Sequence, residues 1–189
     1  MDQNTAHPLS GILLFEARMP IVWHRLNDPL PRGSLARRQE RNERLLQALN
    51  LGESHRPDSG DDDHELGSAL LRLEMKLDMA LDMLSALART QNLLPQARDV
   101  RLSAKGLGWL LTTDEIAPAE GDWVEIGLSM DPHFPHTLEL TGRVEEIHPK
   151  SGSHEVIVSF VDLGEKVEEA LTRYIFLQHR HQVAMEKGG

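Results

Sequence analysis

The sequence predicts an α+β fold in which a small antiparallel β domain carries inserted helices and ends in a further helix. Short segments with alternating or β-branched side chains follow one another between residues 98 and 161, with turns between them. This pattern is typical of a small barrel or sandwich. A similar segment, 10–25, stands near the N-terminus, and two helical stretches separate it from the others. The chain has 189 residues, which is enough for a sizeable core.

Composition limits what this protein can do. The net charge of −10 argues against a broad nucleic-acid surface, because phosphate binding depends on clustered Lys and Arg. Cysteine is absent, which excludes disulfides and thiolate catalysis and suits a reducing cytoplasm. The N-terminus lacks a signal-peptide pattern, and no apolar stretch is long enough to span a bilayer. We therefore expect a cytoplasmic protein with no nucleic-acid partner and no membrane span.

The β-branched and aromatic side chains of residues 10–25 predict the first strand, or two short ones. Pro20 is expected at a bulge or an edge, because proline cannot donate a hydrogen bond to a strand ladder. Residues 34–94 are then predicted to form the helical insertion. Its first helix is polar, begins with Ser34 as N-cap and runs to about Leu49. The arginines of this helix form a basic face, for which solvation is the simplest interpretation.

Residues 65–94 predict a long helix, called the heptad helix below, which would span roughly 45 Å. Nine of its residues recur at alternating spacings of four and three, which indicates a seam for association with other helices. These predicted oligomerisation residues are Leu66, Leu70, Leu73, Leu77, Ala80, Leu84, Leu87, Gln91 and Leu94. A single small domain cannot cover a helix of this length, so we expect a homo-oligomer.

The apolar surface of the heptad helix is wider than the seam alone. Flanking e and g positions are apolar where a two-stranded coil would place charges, and a second line steps by four around the side. The flanking residues are Ala69, Leu81, Met83 and Ala88, and the second line is Leu71, Met75, Met79 and Met83. This width predicts a bundle of more than two helices. The alternative is a helix packed within its own monomer, and the pattern leaves open whether bundle helices run parallel or antiparallel.

Pro95 ends the heptad helix, and residues 96–162 predict the other strands of the β domain. Residues 164–186 predict a C-terminal helix with one apolar face for docking. Because the first strand belongs to a sheet whose other strands follow the insertion, it is expected to return and close the β domain.

Catalytic and metal-binding chemistry has little support in this sequence. His179 and His181 are two residues apart and point to different faces of a helix. The acidic run Asp61–Asp63 precedes a helix, where carboxylates cap free N–H groups. No phosphate loop, nucleophile elbow or His-Glu-x-x-His motif occurs. We expect neither an enzyme nor a metal-binding protein.

The segment from Val100 to about Gln182 resembles a PilZ domain. The resemblance rests on five pieces in order: LSAKGLGWLL, GDWVEIGLSM, LTGRVEEIHP, VIVSFVDL and a terminal helix ending in FLQHRHQ. PilZ domains are small six-stranded barrels, and many bind cyclic di-GMP, a bacterial second messenger. With the first strand added, the resemblance covers about half of the chain. The long heptad helices after that strand resemble an atypical, tetramer-forming branch of the family, which implies a homotetramer.

The resemblance implies a ligand site that this sequence keeps only in part. PilZ receptors carry Arg-x-x-x-Arg before the first strand and Asp/Asn-x-Ser-x-x-Gly in the next strand turn. Paired guanidiniums suit phosphates and guanine edges. Ser103 and Gly106 match the second motif, but Arg101 stands at its acidic or amide position. No arginine precedes the first strand, whereas Arg37 and Arg41 fit the first motif from the inserted helix.

The predicted function is a non-enzymatic PilZ-type signalling module of cyclic di-GMP pathways that self-assembles through the heptad helix. Its ligand site is expected to be degenerate, and its action to run through contacts with an unidentified protein partner. The alternative is a genuine cyclic di-GMP receptor with a rearranged binding site. No cofactor is predicted, and cyclic di-GMP is the one ligand that the resemblance leaves open.

Overall fold

The computed structural model describes residues 8–9, 13–54, 73, 75–77, 79–80, 83–84, 86–87, 95–131 and 137–187. Six strands form a closed antiparallel barrel, which confirms the predicted fold class. The strands are β1 (Phe15–Leu26), β2 (Ala97–Leu102), β3 (Gly106–Thr112), β4 (Trp123–Ser129), β5 (Thr137–Lys150) and β6 (Ser153–Phe160). Two helices have complete bounds, α1 (Arg32–Ser54) and α2 (Glu165–Lys187). The order around the barrel is β1-β2-β3-β6-β5-β4.

Strand β1 closes the barrel by pairing with two strands that follow the insertion. Its first half lies antiparallel to β2, with Phe15 opposite Leu102, and its second half lies antiparallel to β4, with Ile21 opposite Leu128. Pro20 lies at the changeover between these two partners. The first segment is therefore a single strand of 12 residues, and its predicted return to the later strands is confirmed.

The hydrophobic core fills the barrel and continues beneath the two helices. Alternate strand residues point inward, and Leu102, Leu107, Leu111, Ile126, Leu128 and Leu138 are fully buried. Leu46 of α1 and Leu171 and Ile175 of α2 belong to the same cluster. Burial of each such side chain contributes about 1.5–3 kcal/mol relative to exposure, so the helices are part of one core with the barrel.

Helix α1 begins earlier and ends later than predicted. The carbonyl of Pro31 accepts hydrogen bonds from the N–H groups of Ser34 at 2.9 Å and Leu35 at 3.1 Å. Ser34 therefore lies inside the first turn, and its predicted role as N-cap was wrong. The fixed φ of Pro31 suits the start of a helix, which explains the earlier beginning.

The described residues of the heptad helix are helical and exposed on the single chain. Seven large apolar side chains between positions 73 and 87 are 55–70% exposed: Leu73, Met75, Leu77, Met79, Met83, Leu84 and Leu87. Ala80 of the seam is also helical and exposed. Four other seam residues, Leu66, Leu70, Gln91 and Leu94, lie outside the described residues, as does Asp61–Asp63. The coiled-coil role of this helix stays a prediction.

The loop between β3 and β4 is held by the carboxylate of Glu115. Arg98 donates to both of its oxygens, and the backbone N–H and the hydroxyl of Thr112 each donate to Oε2 at 2.9 Å. The hydrogen bonds from Arg98 are the main cause that lowers the pKa of Glu115 from 4.5 to about 2. Ionised Glu115 is thus more favourable in the folded chain than in the unfolded one.

Replacing Glu115 by glutamine should lower the free energy of unfolding at pH 7 by about 1–2 kcal/mol, with solvent screening taken into account. Because the folded pKa lies below the unfolded one, this stabilisation is complete above the unfolded value of 4.5 and is lost as the pH falls towards about 2. Urea unfolding of both proteins at pH 7 and near pH 2 measures the difference. An equal difference at the two pH values would contradict this assignment.

Candidate ligand site on the barrel wall

Ser103 and Gly106 lie in the turn between β2 and β3, and both are buried. The hydroxyl oxygen of Ser103 accepts the N–H groups of Gly106 at 2.9 Å and Lys105 at 3.1 Å. The same hydroxyl donates to the carbonyl of Pro8 at 2.8 Å. A serine hydroxyl has one donor and two acceptor sites, so all the sites of Ser103 are used within the protein.

The chain's own N-terminal residues cover this turn from outside. A Cβ atom at Gly106 would lie 2.5 Å from the Cβ of Pro8 and 2.5 Å from the carbonyl oxygen of Val158. A Cβ atom at Gly108, two residues along β3, would lie 3.0 Å from a methyl carbon of Leu9. The two glycines therefore permit a close approach of residues 8–9, which occupy the space next to the ligand motif.

Arg101 lies on the outer wall of the barrel, at a groove of about 320 Å³. Its guanidinium contacts Oε1 of Glu155, and Nζ of Lys150 lies 2.8 Å from Oε2 of the same carboxylate. The side chain of Glu155 is 8% exposed, whereas those of Arg101 and Lys150 are 36% and 49% exposed. The groove is also lined by Glu16, Ala17, Arg18, Asp99, Val100, Gly108 and Leu110.

The carboxylate of Glu155 is ionised despite its burial. Burial alone would raise its pKa, but the hydrogen bond from Lys150 and the charges of Arg101 and Lys150 outweigh that effect and hold the pKa below its ordinary value. Glu155 therefore pairs as a carboxylate with two cations at neutral pH. We refer to Arg101, Glu155 and Lys150 together as the wall triad.

Arg37 and Arg41 lie on α1. Among the described residues, neither of these side chains contacts a residue that lines the groove. Arg41 donates to Oε1 of Glu139 on β5 at 2.8 Å, and Arg37 is exposed. Strands β5 and β2 are not neighbours around the barrel. No contact among the described residues joins either arginine of α1 to Arg101, Ser103 or Gly106. The structure therefore brings Ser103 and Gly106 together in one turn, places Arg101 on the barrel wall and leaves Arg37 and Arg41 apart from both on α1.

Arg38 lies between these two arginines on α1 and is the most buried of the three. Its side chain is 13% exposed and donates to the hydroxyl of Thr141 at 3.0 Å. It also forms ion pairs with Glu125 of β4 and with Glu139 of β5, the latter at 3.4 Å. The basic face of α1 is thus partly a docking surface, and solvation accounts for only its outer residues.

The family model for the atypical PilZ domain, described as a cyclic di-GMP receptor, matches residues 46–187. This chain belongs to the atypical PilZ domain family. The match runs from the second half of α1 to the end of α2 and includes β2 to β6. The family description names a receptor and no catalytic activity.

Several solved structures are similar to this PilZ chain, among them the following three. One is a tetrameric PilZ domain from Xanthomonas campestris, self-assembled via an unusual helical bundle, with a TM-score of 0.68 and 24% identity over 93% of this chain and 92% of that chain. The PilZ domain of YcgR from Escherichia coli with c-di-GMP matches at a TM-score of 0.40 and 24% identity, over 49% and 76% of the two chains. The inhibitor of motility MotI/DgrA from Bacillus subtilis matches at 0.38 and 18%, over 47% and 42%.

No curated protein matches the chain. The match to the Xanthomonas protein extends over almost the whole length of both chains.

Among the residues that the structure describes, no helix is long and apolar enough to cross a membrane. The same residues include no group of three or more His, Asp or Glu that could hold a metal ion.

Glu155 and Lys150 were not among the residues predicted for this PilZ site. Glu155 opens the run EVIVSFV and is its one charged residue, which is a signal that the sequence does show. Its partner could not be found from the sequence, since 54 positions separate Arg101 from Glu155. The cover formed by Pro8 was equally hidden, because Pro8 stands 95 positions before Ser103.

Proposed function

We propose that this PilZ protein is a non-enzymatic signalling module of cyclic di-GMP pathways, with a degenerate ligand site, that self-assembles and acts through protein contacts. The observation that carries the proposal is the state of Ser103 and Gly106. The Ser103 hydroxyl is fully used within the protein, and Pro8 lies against Gly106. A ligand that uses these two positions would first have to displace residues 8–9.

The arginines that match the ligand motifs support the same conclusion. Arg101 cannot replace a carboxylate acceptor, since a guanidinium only donates hydrogen bonds. It is also paired with Glu155, and Arg41 is paired with Glu139. A phosphate that engages either arginine has to compete with a carboxylate already in place, which lowers its net gain in free energy.

The exposed face of the heptad helix supports self-assembly. Monomeric proteins rarely expose contiguous apolar patches larger than a few hundred square ångströms, and seven large apolar side chains are more than half exposed over positions 73–87. Four of them belong to the seam, and burying each of these leucines, Leu73, Leu77, Leu84 and Leu87, against another copy would contribute about 1.5–3 kcal/mol. The Xanthomonas neighbour is a tetramer assembled via a helical bundle, and we propose the same number of copies for this chain.

We place this module in the cytoplasm, in accord with a chain that has no cysteine. With a degenerate ligand site, its output is proposed to depend on a protein partner. A homotetramer presents four copies of each barrel surface, and this multivalency strengthens even weak contacts with such a partner.

Isothermal titration of the purified protein with cyclic di-GMP tests the degenerate site. We expect no saturable heat up to tens of micromolar ligand, which corresponds to a binding free energy weaker than about −6 kcal/mol. Sub-micromolar affinity would overturn the degenerate site. If that affinity were then lost in Arg37→Ala or Arg41→Ala, the receptor with a rearranged site would be the better description.

A further inference from the structure

The wall triad points to a reason why the groove on the barrel wall takes no anionic ligand. We infer that Glu155 closes this groove to phosphate-bearing ligands, because its carboxylate occupies the position between Arg101 and Lys150 that a ligand phosphate would take. This inference rests on the proposed degenerate site and assigns one residue as its cause. It also implies that the groove becomes a phosphate site when the Glu155 charge is removed.

The geometry of the triad resembles that of a bound anion between two cations. Arg101 comes from β2, Lys150 from the end of β5 and Glu155 from the start of β6, so three strands converge on one carboxylate. Each oxygen of that carboxylate contacts one cation. Carboxylate and phosphate oxygens are alternative acceptors for the same guanidinium donors. The internal carboxylate is therefore a direct competitor of any phosphate.

Gly108 of β3 lines the groove beside the ion pair. A Cβ atom at Gly108 would lie 3.6 Å from Oε1 of Glu155 and 3.7 Å from Nε of Arg101, which are ordinary van der Waals distances. The ion pair therefore packs directly against β3 at this position.

The charges that line the groove balance in the native protein. Glu16, Asp99 and Glu155 are negative, and Arg18, Arg101 and Lys150 are positive. A phosphate that entered would have to separate Glu155 from its cations and leave a carboxylate with 8% exposure unpaired. Unpaired charges at buried positions are costly, so the native groove disfavours anions. Without the Glu155 charge, Arg101 and Lys150, which are 36% and 49% exposed, lack this counter-ion and favour a new one.

The test compares two single substitutions that remove the same charge from the same groove. Glu155→Gln breaks the wall triad, whereas Glu16→Gln removes a rim carboxylate and leaves the contacts of Arg101 and Lys150 with Glu155 in place. Inorganic pyrophosphate is the probe, titrated by calorimetry at low ionic strength because salt screens such contacts. We expect Glu155→Gln to bind pyrophosphate at least about tenfold more tightly than the native protein, and Glu16→Gln to differ by less than about twofold.

The double substitution Glu155→Gln with Arg101→Gln should abolish the gain, since it removes the main donor. Equal gains in Glu155→Gln and Glu16→Gln would assign the effect to net charge and overturn the inference, and so would no gain in a folded Glu155→Gln protein. Circular dichroism checks the fold, and Glu155→Thr serves as a second neutral variant suited to a strand. Failure of both variants to fold would assign Glu155 to stability and also overturn the inference.

Cyclic di-GMP, titrated into the same proteins, separates this inference from the proposed function. Sub-micromolar binding to the native protein overturns the degenerate site, whereas the pyrophosphate ratio between Glu155→Gln and Glu16→Gln decides the role of Glu155 by itself.

Discussion

Replacing Leu77 and Leu84 together by aspartate is expected to convert the proposed tetramer into monomers while the barrel stays folded. Leu77 and Leu84 both stand at heptad position a of the seam, one repeat apart. Their side chains are 58% and 59% exposed on the single chain. Their loss therefore costs the isolated chain little. In an assembled bundle each aspartate would be buried without a partner, at a cost of several kcal/mol per copy.

Light scattering measures the mass of both proteins, and circular dichroism follows the strands. The matched control is Met75→Asp with Met79→Asp, which makes the same change in charge on the second apolar line of the same helix. We expect this control to remain a tetramer. A tetrameric Leu77/Leu84 variant would show that the interface lies elsewhere, and a monomeric control would place it on the Met75 and Met79 face.

Replacing Arg38 by alanine is expected to lower the free energy of unfolding by about 2–3 kcal/mol. Its largely buried guanidinium joins α1 to the carboxylates of Glu125 and Glu139 and to the Thr141 hydroxyl. Breaking a buried ion pair costs about 3–5 kcal/mol, and the 30% exposure of both carboxylates reduces that cost.

Arg44→Ala is the control for this substitution. Arg44 lies on the same helix, is 76% exposed and pairs with Glu40 of α1 at 2.6 Å. Its loss should cost less than about 0.5 kcal/mol, as expected for an exposed i,i+4 pair. Urea unfolding at one protein concentration compares the three proteins. Equal destabilisation by the two substitutions would contradict the docking role of Arg38.

The barrel could be predicted because its determinants are local or follow from simple topology. Alternation of side chains marked the strands from β2 to β6, and the isolated first strand had to return to them, as the register of Phe15 with Leu102 confirms. The start of α1 was missed by three residues, because a serine before a helical pattern is a frequent N-cap, whereas the helix begins directly after Pro31.

The candidate site was less predictable, because its state depends on contacts between distant parts of the chain. The motif located Ser103 and Gly106 in a turn, as observed, but gave no sign that Pro8 would lie against them. The sequence does show that Arg101 places a positive charge where the motif has Asp or Asn. Its pairing with Glu155 depends on the barrel order, in which β3 lies between β2 and β6.

Light scattering of the native protein at tens of micromolar, with and without excess cyclic di-GMP, tests the central claim most directly. A self-assembling module with a degenerate ligand site should have four times the chain mass of 21.3 kDa under both conditions. A mass of one chain would contradict assembly through the heptad helix. A mass that changes when cyclic di-GMP is added would contradict the degenerate site.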